Sequence, residues 1–78
     1  MLTDNTISMA TLLRRINRHL RKYGEQLRTA RGERARTEFG KYYIVVVERD
    51  FVRFKRVDPV ELGRDLGVLE TWEKVAED

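Results

Sequence analysis

The sequence predicts a small α+β domain in which an N-terminal amphipathic helix packs on a small antiparallel sheet, with one or two short helices at the C-terminal end. Three observations predict this fold class. Apolar residues recur at helical spacing over residues 8–22, two segments rich in β-branched and aromatic residues follow at 41–48 and 51–57, and Asp58-Pro59 opens a further helical segment.

The first helix is predicted from about residue 8 to about residue 22. Its apolar positions follow one another in steps of three and four and would line one narrow stripe. They are Met9, Leu13, Ile16, Leu20, Tyr23, Leu27 and Ala30. Ser8 or Thr6 can cap its start, because a short side-chain oxygen accepts hydrogen bonds from the free amides of the first turn.

Gly24 is the predicted end of this helix, since glycine costs about 1 kcal/mol relative to alanine inside a helix and readily adopts the left-handed conformation. Residues 25–31 keep the apolar spacing, so a bent helix reaching residue 31 is one alternative. A strand beside the following hairpin, giving a three-stranded sheet, is the other. Residues 32–40 are interpreted as a charged connection bounded by glycines.

The two strands are predicted to form a hairpin. Residues 41–48 are apolar on both alternating faces, as expected of a central strand, and Arg49-Asp50 would form a tight turn. Residues 51–57 return as the edge strand, where Lys55 and Arg56 would discourage pairing with a second chain.

The C-terminal region begins with a strong helix start. Asp58 is the predicted N-cap, Pro59 occupies the first helical position, and Glu61 stands where a capping-box partner belongs. The helix is expected to span 59–66, with Leu62 and Leu66 on its buried face and Gly67 ending it.

A last short helix is predicted over residues 70–77, with Trp72 and Val75 facing inward. The whole chain, residues 1–78, is expected to be one small domain with flexible ends at 1–6 and 77–78.

Charge is distributed unevenly along the chain. The formal net charge is +3, but residues 1–36 carry nine Lys/Arg and three Asp/Glu, whereas residues 37–78 carry seven and ten. There is no cysteine, and no apolar run approaches the ~20 residues of a membrane helix. We therefore expect a cytoplasmic protein without disulfides, thiolate metal sites or membrane contact.

The candidate binding residues are cations. Arg14, Arg15, Arg18, Arg21 and Lys22 fall opposite the apolar stripe, and Arg28, Arg53 and Lys55 accompany them on the following segments. Such a face can hold an acidic protein surface or nucleic-acid phosphates, and it is also an ordinary way to keep a helix solvated.

Aromatic residues interleaved with cations on the second hairpin strand raise a related alternative. Phe51, Phe54 and the cations between and beyond them could stack nucleic-acid bases. Val52 and Phe54 are, however, expected to share a face that the first helix covers, which makes them structural residues.

Catalysis has little support in the sequence. His19 is the only histidine, and no nucleophile has a recognisable supporting residue at a useful spacing. Metal sites require several converging ligands, which the sequence does not present. We therefore expect a non-enzymatic protein without catalytic residues, metal or cofactor.

Four segments resemble a group of short uncharacterised accessory proteins from proteobacterial genomes, phages and mobile elements. The segments are 24–32 (GEQLRTARG), 39–45 (FGKYYIV), 57–58 (VD) and 61–69 (ELGRDLGVL), within a similarity that spans about residues 10–73. Val47-Glu48 departs from the group, where an acidic turn residue often closes the first hairpin strand. The resemblance implies no known chemistry and no functional residue.

These expectations favour a small binding protein of phage or mobile-element type. It would occlude an acidic surface on a protein or nucleoprotein, for example as an inhibitor of a host defence complex such as an anti-CRISPR. The alternative is a nucleic-acid-binding regulator that uses the basic face of the first helix. A homodimer through the apolar stripe or a hairpin edge is compatible with either.

Overall fold

The computed structural model describes residues 5–76 and confirms the predicted α+β class. Along the chain its elements are β1 (Thr6–Ser8), α1 (Met9–Leu20), a 3₁₀ turn (Arg21–Tyr23), β2 (Glu25–Thr29), α2 (Gly32–Phe39), β3 (Tyr42–Val46), β4 (Phe51–Phe54), α3 (Pro59–Asp65) and β5 (Lys74–Ala76). Helix α1 packs against a three-stranded antiparallel sheet, and β1 and β5 form a separate two-stranded parallel sheet.

Helix α1 begins and ends close to the predicted positions. The Ser8 hydroxyl accepts a hydrogen bond of 3.0 Å from the Thr11 amide and caps the helix, as predicted. The chain leaves the helix through the 3₁₀ turn and reverses at Gly24, whose φ of +70° lies in the left-handed region. The predicted break at Gly24 is confirmed, and residues 25–29 form the strand alternative.

The sheet has the order β2-β3-β4, which confirms that the apolar segment around residues 42–46 is its central strand. Strand β2 pairs antiparallel with β3 so that Leu27 lies opposite Ile44. Strand β4 pairs antiparallel with the other side of β3. Strands β2 and β4 are therefore the two edges of the sheet, and β2 lies beside α1.

Strand β4 contains an irregularity that corrects a prediction about its faces. Ile44 pairs with Phe54 but Val45 pairs with Val52, so Arg53 is an extra residue in β4. Because of this bulge, Phe54 lies on the face of Ile44 and Val52 lies on the opposite face. The expectation that Val52 and Phe54 share one helix-covered face is wrong, and the Phe54 side chain is half exposed.

The hairpin turn and the end of β4 also differ from the prediction. The turn covers residues 47–50 rather than two residues, and Asp50 adopts a φ of +55°. The ladder ends at Phe54, since Arg56 takes a φ of +53° and its amide donates to the Phe39 carbonyl. Lys55 and Arg56 are exposed as expected, but they lie beyond the strand.

Helix α2 (Gly32–Phe39) occupies most of the segment 32–40, which corrects the prediction of a connection. Helix α2 contains residues of good helix propensity, and positive-φ glycines, Gly32 and Gly40, flank it at both ends. Only Ala35 and Phe39, one turn apart, are partly buried apolar residues. The helix therefore lacks the apolar periodicity by which a longer helix is recognised.

Helix α3 starts as predicted. The Asp58 carboxylate accepts hydrogen bonds from the amides of Val60 and Glu61, and Pro59 follows it. The helix spans Pro59–Asp65, and Gly67 at a φ of +77° turns the chain away from it.

The predicted helix over residues 70–77 is wrong within the described part of the chain. Lys74–Ala76 form β5, which pairs in parallel with β1 in the register Ile7 to Val75. Val75 packs against the core as expected, but Trp72 is 62% exposed. Glu77 and Asp78, together with residues 1–4 of the predicted flexible N-terminal end, lie outside the described residues, and Thr6 belongs to β1.

The hydrophobic core lies between α1, the sheet and the C-terminal region. Its buried members are Leu12, Ile16, Leu20, Leu27, Tyr42, Ile44 and Leu69. Leu12 is completely buried although the predicted stripe passed through Leu13, and Tyr23 is exposed although the stripe included it. No helix within residues 5–76 has the length and apolar character needed to cross a membrane.

Candidate functional site: the cationic face of helix α1

Helix α1 presents three differently engaged sides to its surroundings. With about 100° between successive residues, Leu12, Ile16 and Leu20 fall on one side, and all three are buried. Asn17 and Arg15 fall on the two flanks of that buried side. Arg14, Arg18 and Arg21 fall on the side directly opposite the core, where all three are exposed.

Asn17 attaches one flank to the edge of the sheet. Its side-chain oxygen accepts a hydrogen bond of 2.7 Å from the Leu27 amide, and its side-chain nitrogen donates one of 3.2 Å to the Leu27 carbonyl. The Asn17 amide group therefore satisfies both backbone groups of Leu27 on the outer side of β2, where a neighbouring strand would otherwise pair.

Arg15 attaches the other flank to the C-terminal region. Its guanidinium donates 3.1 Å to the Val68 carbonyl and 2.9 Å to the Glu73 carboxylate. Glu73 also accepts from the Glu70 amide, and Arg64 donates to the carbonyls of Glu70 and Glu73. The Arg15 hydrogen bond, followed by the Glu70 amide, lowers the pKa of the Glu73 carboxyl from its usual value of 4.5.

The remaining side of α1 and the 3₁₀ turn carry four exposed cations, which we call the cationic face: Arg14, Arg18, Arg21 and Lys22. Among residues 5–76, no carboxylate oxygen lies within 4.0 Å of these side-chain nitrogens. To the residues that the structure describes, Arg14 makes a single long hydrogen bond of 3.5 Å, to the Thr11 hydroxyl. Within the described chain, the positive charge of this face is not neutralised by an ion pair.

The other four predicted binding residues have different surroundings. Arg15 is engaged by the C-terminal region, and Arg53 forms an ion pair with Glu25 on β2. Arg28 hydrogen-bonds to Gln26 on the sheet face that points away from α1, and the Lys55 ammonium lies 5.9 Å from the centre of the Phe39 ring. The structure thus groups four of the eight predicted cations into one uninterrupted face.

Two residues that organise this site were not identified from the sequence. Asn17 carries no local signal of its role, because its partner Leu27 becomes adjacent only after the chain reverses at Gly24. Glu73 was assigned to a helix, so no pairing with Arg15 was predicted.

The structure also gives the surroundings of the single histidine and of the acidic side chains in residues 5–76. His19 is partly buried and lies beside Tyr23, with 5.8 Å between the ring centres. The described residues contain no group of three or more His, Asp or Glu side chains placed to hold a metal ion.

Comparison with protein-family models, with curated proteins and with solved structures finds no match. The resemblance to phage and mobile-element accessory proteins therefore stays a prediction.

Proposed function

We propose that this is a non-enzymatic binding protein whose cationic face covers an acidic surface on a protein or nucleoprotein partner. The observation that carries the proposal is the contrast in charge pairing along α1. Arg15 is neutralised by Glu73, whereas Arg14, Arg18 and Arg21 meet no carboxylate within residues 5–76.

The contacts that hold α1 against the rest of the chain support this proposal. Buried aliphatic side chains on one side and hydrogen bonds from Asn17 and Arg15 on the two flanks fix the position of the helix. A partner would therefore meet a helix backbone that is already ordered, and only the long side chains would lose freedom on binding. Guanidinium groups suit such a surface because their planar donors match carboxylates in a bidentate geometry.

An inhibitor of a host defence complex, as in an anti-CRISPR, is the form of this function that the resemblance to phage accessory proteins favours. An inhibitor of this kind has to bind tightly and cover a surface of its partner, but it needs no catalytic group. A folded chain of 78 residues has enough surface to do so. A standard stable interface buries about 800 Å² on each partner, while this chain exposes 5878 Å².

A homodimer stays a prediction, and the fold restricts which surfaces could form it. Leu12, Ile16 and Leu20 are buried within the chain and cannot pair two helices. The bulge at Arg53 and the exposed Lys55 oppose regular pairing along β4. Light scattering over a concentration series measures the mass, and a constant monomer mass would exclude the dimer.

The function can be tested by affinity capture from a nuclease-treated bacterial lysate with two charge-matched variants. One variant replaces Arg14, Arg18 and Arg21 with Gln. The other replaces Arg34, Arg36 and Arg49 with Gln, at positions that are also exposed but lie elsewhere. Both lose three positive charges, so a difference between them reports position rather than net charge.

We expect one dominant acidic protein to be retained by the wild-type chain and by the control variant. The cationic-face variant should lose it, and the wild-type complex should dissociate at raised salt because exposed ion pairs are screened. Equal retention by both variants, or retention only when nuclease is omitted, would contradict the proposal.

A further inference from the structure

A groove separate from the cationic face lies between α2 and the sheet face that points away from α1. Gln26 and Arg28 on β2 and Tyr43 on β3 alternate with the core residues Leu27 and Ile44, so they lie on the opposite face of the sheet. Ala35 of helix α2 also lines the groove. The groove has a volume of about 440 Å³, within the range of small-ligand sites.

The lining of this groove is cationic and rich in hydrogen-bonding groups. It consists of Gln26, Arg28, Thr29, Arg31, Ala35 and Tyr43, among which there is no acidic residue. A second groove on α2, lined by Glu33, Arg34, Thr37 and Glu38, contains two carboxylates. Of these two grooves, the first therefore combines two guanidinium groups with an uncharged polar lining.

The two arginines remain able to bind an anion. The Arg28 Nε donates 2.9 Å to the Gln26 side chain, which orients the guanidinium. Within residues 5–76, Arg28 also forms an ion pair with the largely exposed Asp50, but its 3.7 Å separation is too long for a hydrogen bond and leaves the guanidinium donors able to bind an anion. Arg31 is exposed and has no carboxylate within 4.0 Å among residues 5–76.

Tyr43 supplies an aromatic ring in the same groove. It lies directly opposite Arg28 in the β2-β3 ladder and is only partly buried. The Phe39 ring packs against it with 5.0 Å between the ring centres and an interplanar angle of 37°. Lys55 lies 5.9 Å from the Phe39 ring centre, which places a further cation near this aromatic pair.

We propose that this groove binds single-stranded nucleic acid, with a base against Tyr43 and the backbone phosphates at Arg28 and Arg31. Sites for single strands combine a cationic groove with an aromatic side chain, because every base has a stacking face and every nucleotide a phosphate. The polar groups of Gln26 and Thr29 are placed to contact base edges or sugar. The site is independent of the cationic face proposed above.

The test is fluorescence anisotropy with labelled single-stranded RNA and DNA of about ten nucleotides, and with the same DNA as a duplex. Tyr43→Leu removes the ring, Tyr43→Phe keeps it, and Arg31→Gln removes one groove cation. Arg34→Gln is the matched control, because Arg34 is a nearby exposed arginine in α2 that lines the second groove instead. The Arg14, Arg18 and Arg21 triple replacement separates this site from the cationic face.

We expect micromolar or tighter binding of single strands at low salt and weaker binding of the duplex. Tyr43→Leu should weaken binding by about 5- to 150-fold, the range for loss of one stacked base, whereas Tyr43→Phe should retain it. Arg31→Gln should reduce the slope of log affinity against log salt by about 0.7, the value for one phosphate of a single strand. Arg34→Gln should leave that slope unchanged.

Three results would overturn the proposal: no binding at low salt, equal loss in Arg31→Gln and Arg34→Gln, or a loss confined to the triple replacement. Circular dichroism of each variant shows whether it folds. Arg31→Gln changes only an exposed side chain, so the test does not depend on the folding of the Tyr43 variants.

Discussion

The flanks of helix α1 and its outer side differ in where their polar groups find partners. On the flanks, Asn17 hydrogen-bonds to the β2 edge and Arg15 to the C-terminal region, so both side chains are occupied by their own chain. On the outer side, Arg14, Arg18 and Arg21 have no carboxylate partner within residues 5–76, and Arg14 makes a long hydrogen bond to Thr11.

This difference shows that helical position alone does not determine whether an arginine is free to bind a partner. The residues that the fold brings next to it also matter. Arg14 and Arg15 are adjacent and carry the same side chain, yet among residues 5–76 only Arg15 is paired with a carboxylate. Substitutions on each side of α1 test whether the paired and unpaired arginines differ in this way. The buried side comes first, because its orientation determines which residues lie on the flanks.

Leu12→Ala should have the largest effect, lowering the free energy of unfolding by about 2–5 kcal/mol. Leu12 is fully buried and contacts the region of Gly63, where an added Cβ would lie 2.8 Å from the Leu12 Cδ1 atom. Urea denaturation measures the change. Leu13→Ala is the control, and an equal loss there would mean that the buried side is wrongly oriented.

Asn17→Ala should lower the free energy of unfolding by about 1–3 kcal/mol, because the amide and carbonyl of Leu27 lose their partners. Urea denaturation again measures it, with Arg18→Ala as the exposed neighbour that should change little. If the two variants are equally stable, the flank hydrogen bonds do not hold the helix to β2.

Glu73→Gln should produce a stability loss that depends on pH. Since folding lowers the pKa of Glu73 from 4.5, its carboxylate stabilises the fold fully above that value and loses its contribution as pH falls through the folded-state pKa. The wild type and the variant should thus differ at pH 7 and converge in acid. Thermal unfolding from pH 7 to pH 3 measures this.

Arg15→Gln in the Glu73→Gln background supplies the control for that experiment. If the two side chains act through their ion pair, the second replacement should cost less than it does in the wild type. A loss that is independent of both pH and Arg15 would assign the role of Glu73 to packing alone.

Much of the fold was predictable because its signals are local. The Ser8 cap, the Gly24 break and the Asp58-Pro59 helix start each depend on a few neighbouring residues, and all three are present in the structure. The β5 strand was not predicted because it exists through pairing with β1, at the other end of the chain. Helix α2 was missed because it is short and mostly exposed.

The candidate site was predictable only as a set of cations. Helical spacing placed Arg14, Arg18 and Arg21 opposite the core, but the same spacing grouped Arg15 with them. Arg15 differs from the other three because it pairs with Glu73, which lies 58 residues later in the chain. Likewise, the register shift at Arg53 could not be read from the alternation of β4, so Phe54 was assigned to the wrong environment.

Arg14→Gln should give the smallest change in stability of these variants. Comparing it with Arg15→Gln tests most directly whether an unpaired and a paired arginine differ. Arg14 is exposed and makes one long hydrogen bond within the described part of the chain, so its replacement should change the free energy of unfolding by less than about 0.5 kcal/mol. Arg15→Gln should be the less stable variant, because the Val68 carbonyl and the Glu73 carboxylate both lose a charged donor. Both variants lose one positive charge from adjacent positions, so overall charge repulsion cannot explain a difference between them. Urea denaturation at pH 7 measures both, and a reversed order of stability would contradict the stabilising role of the Arg15 hydrogen bonds.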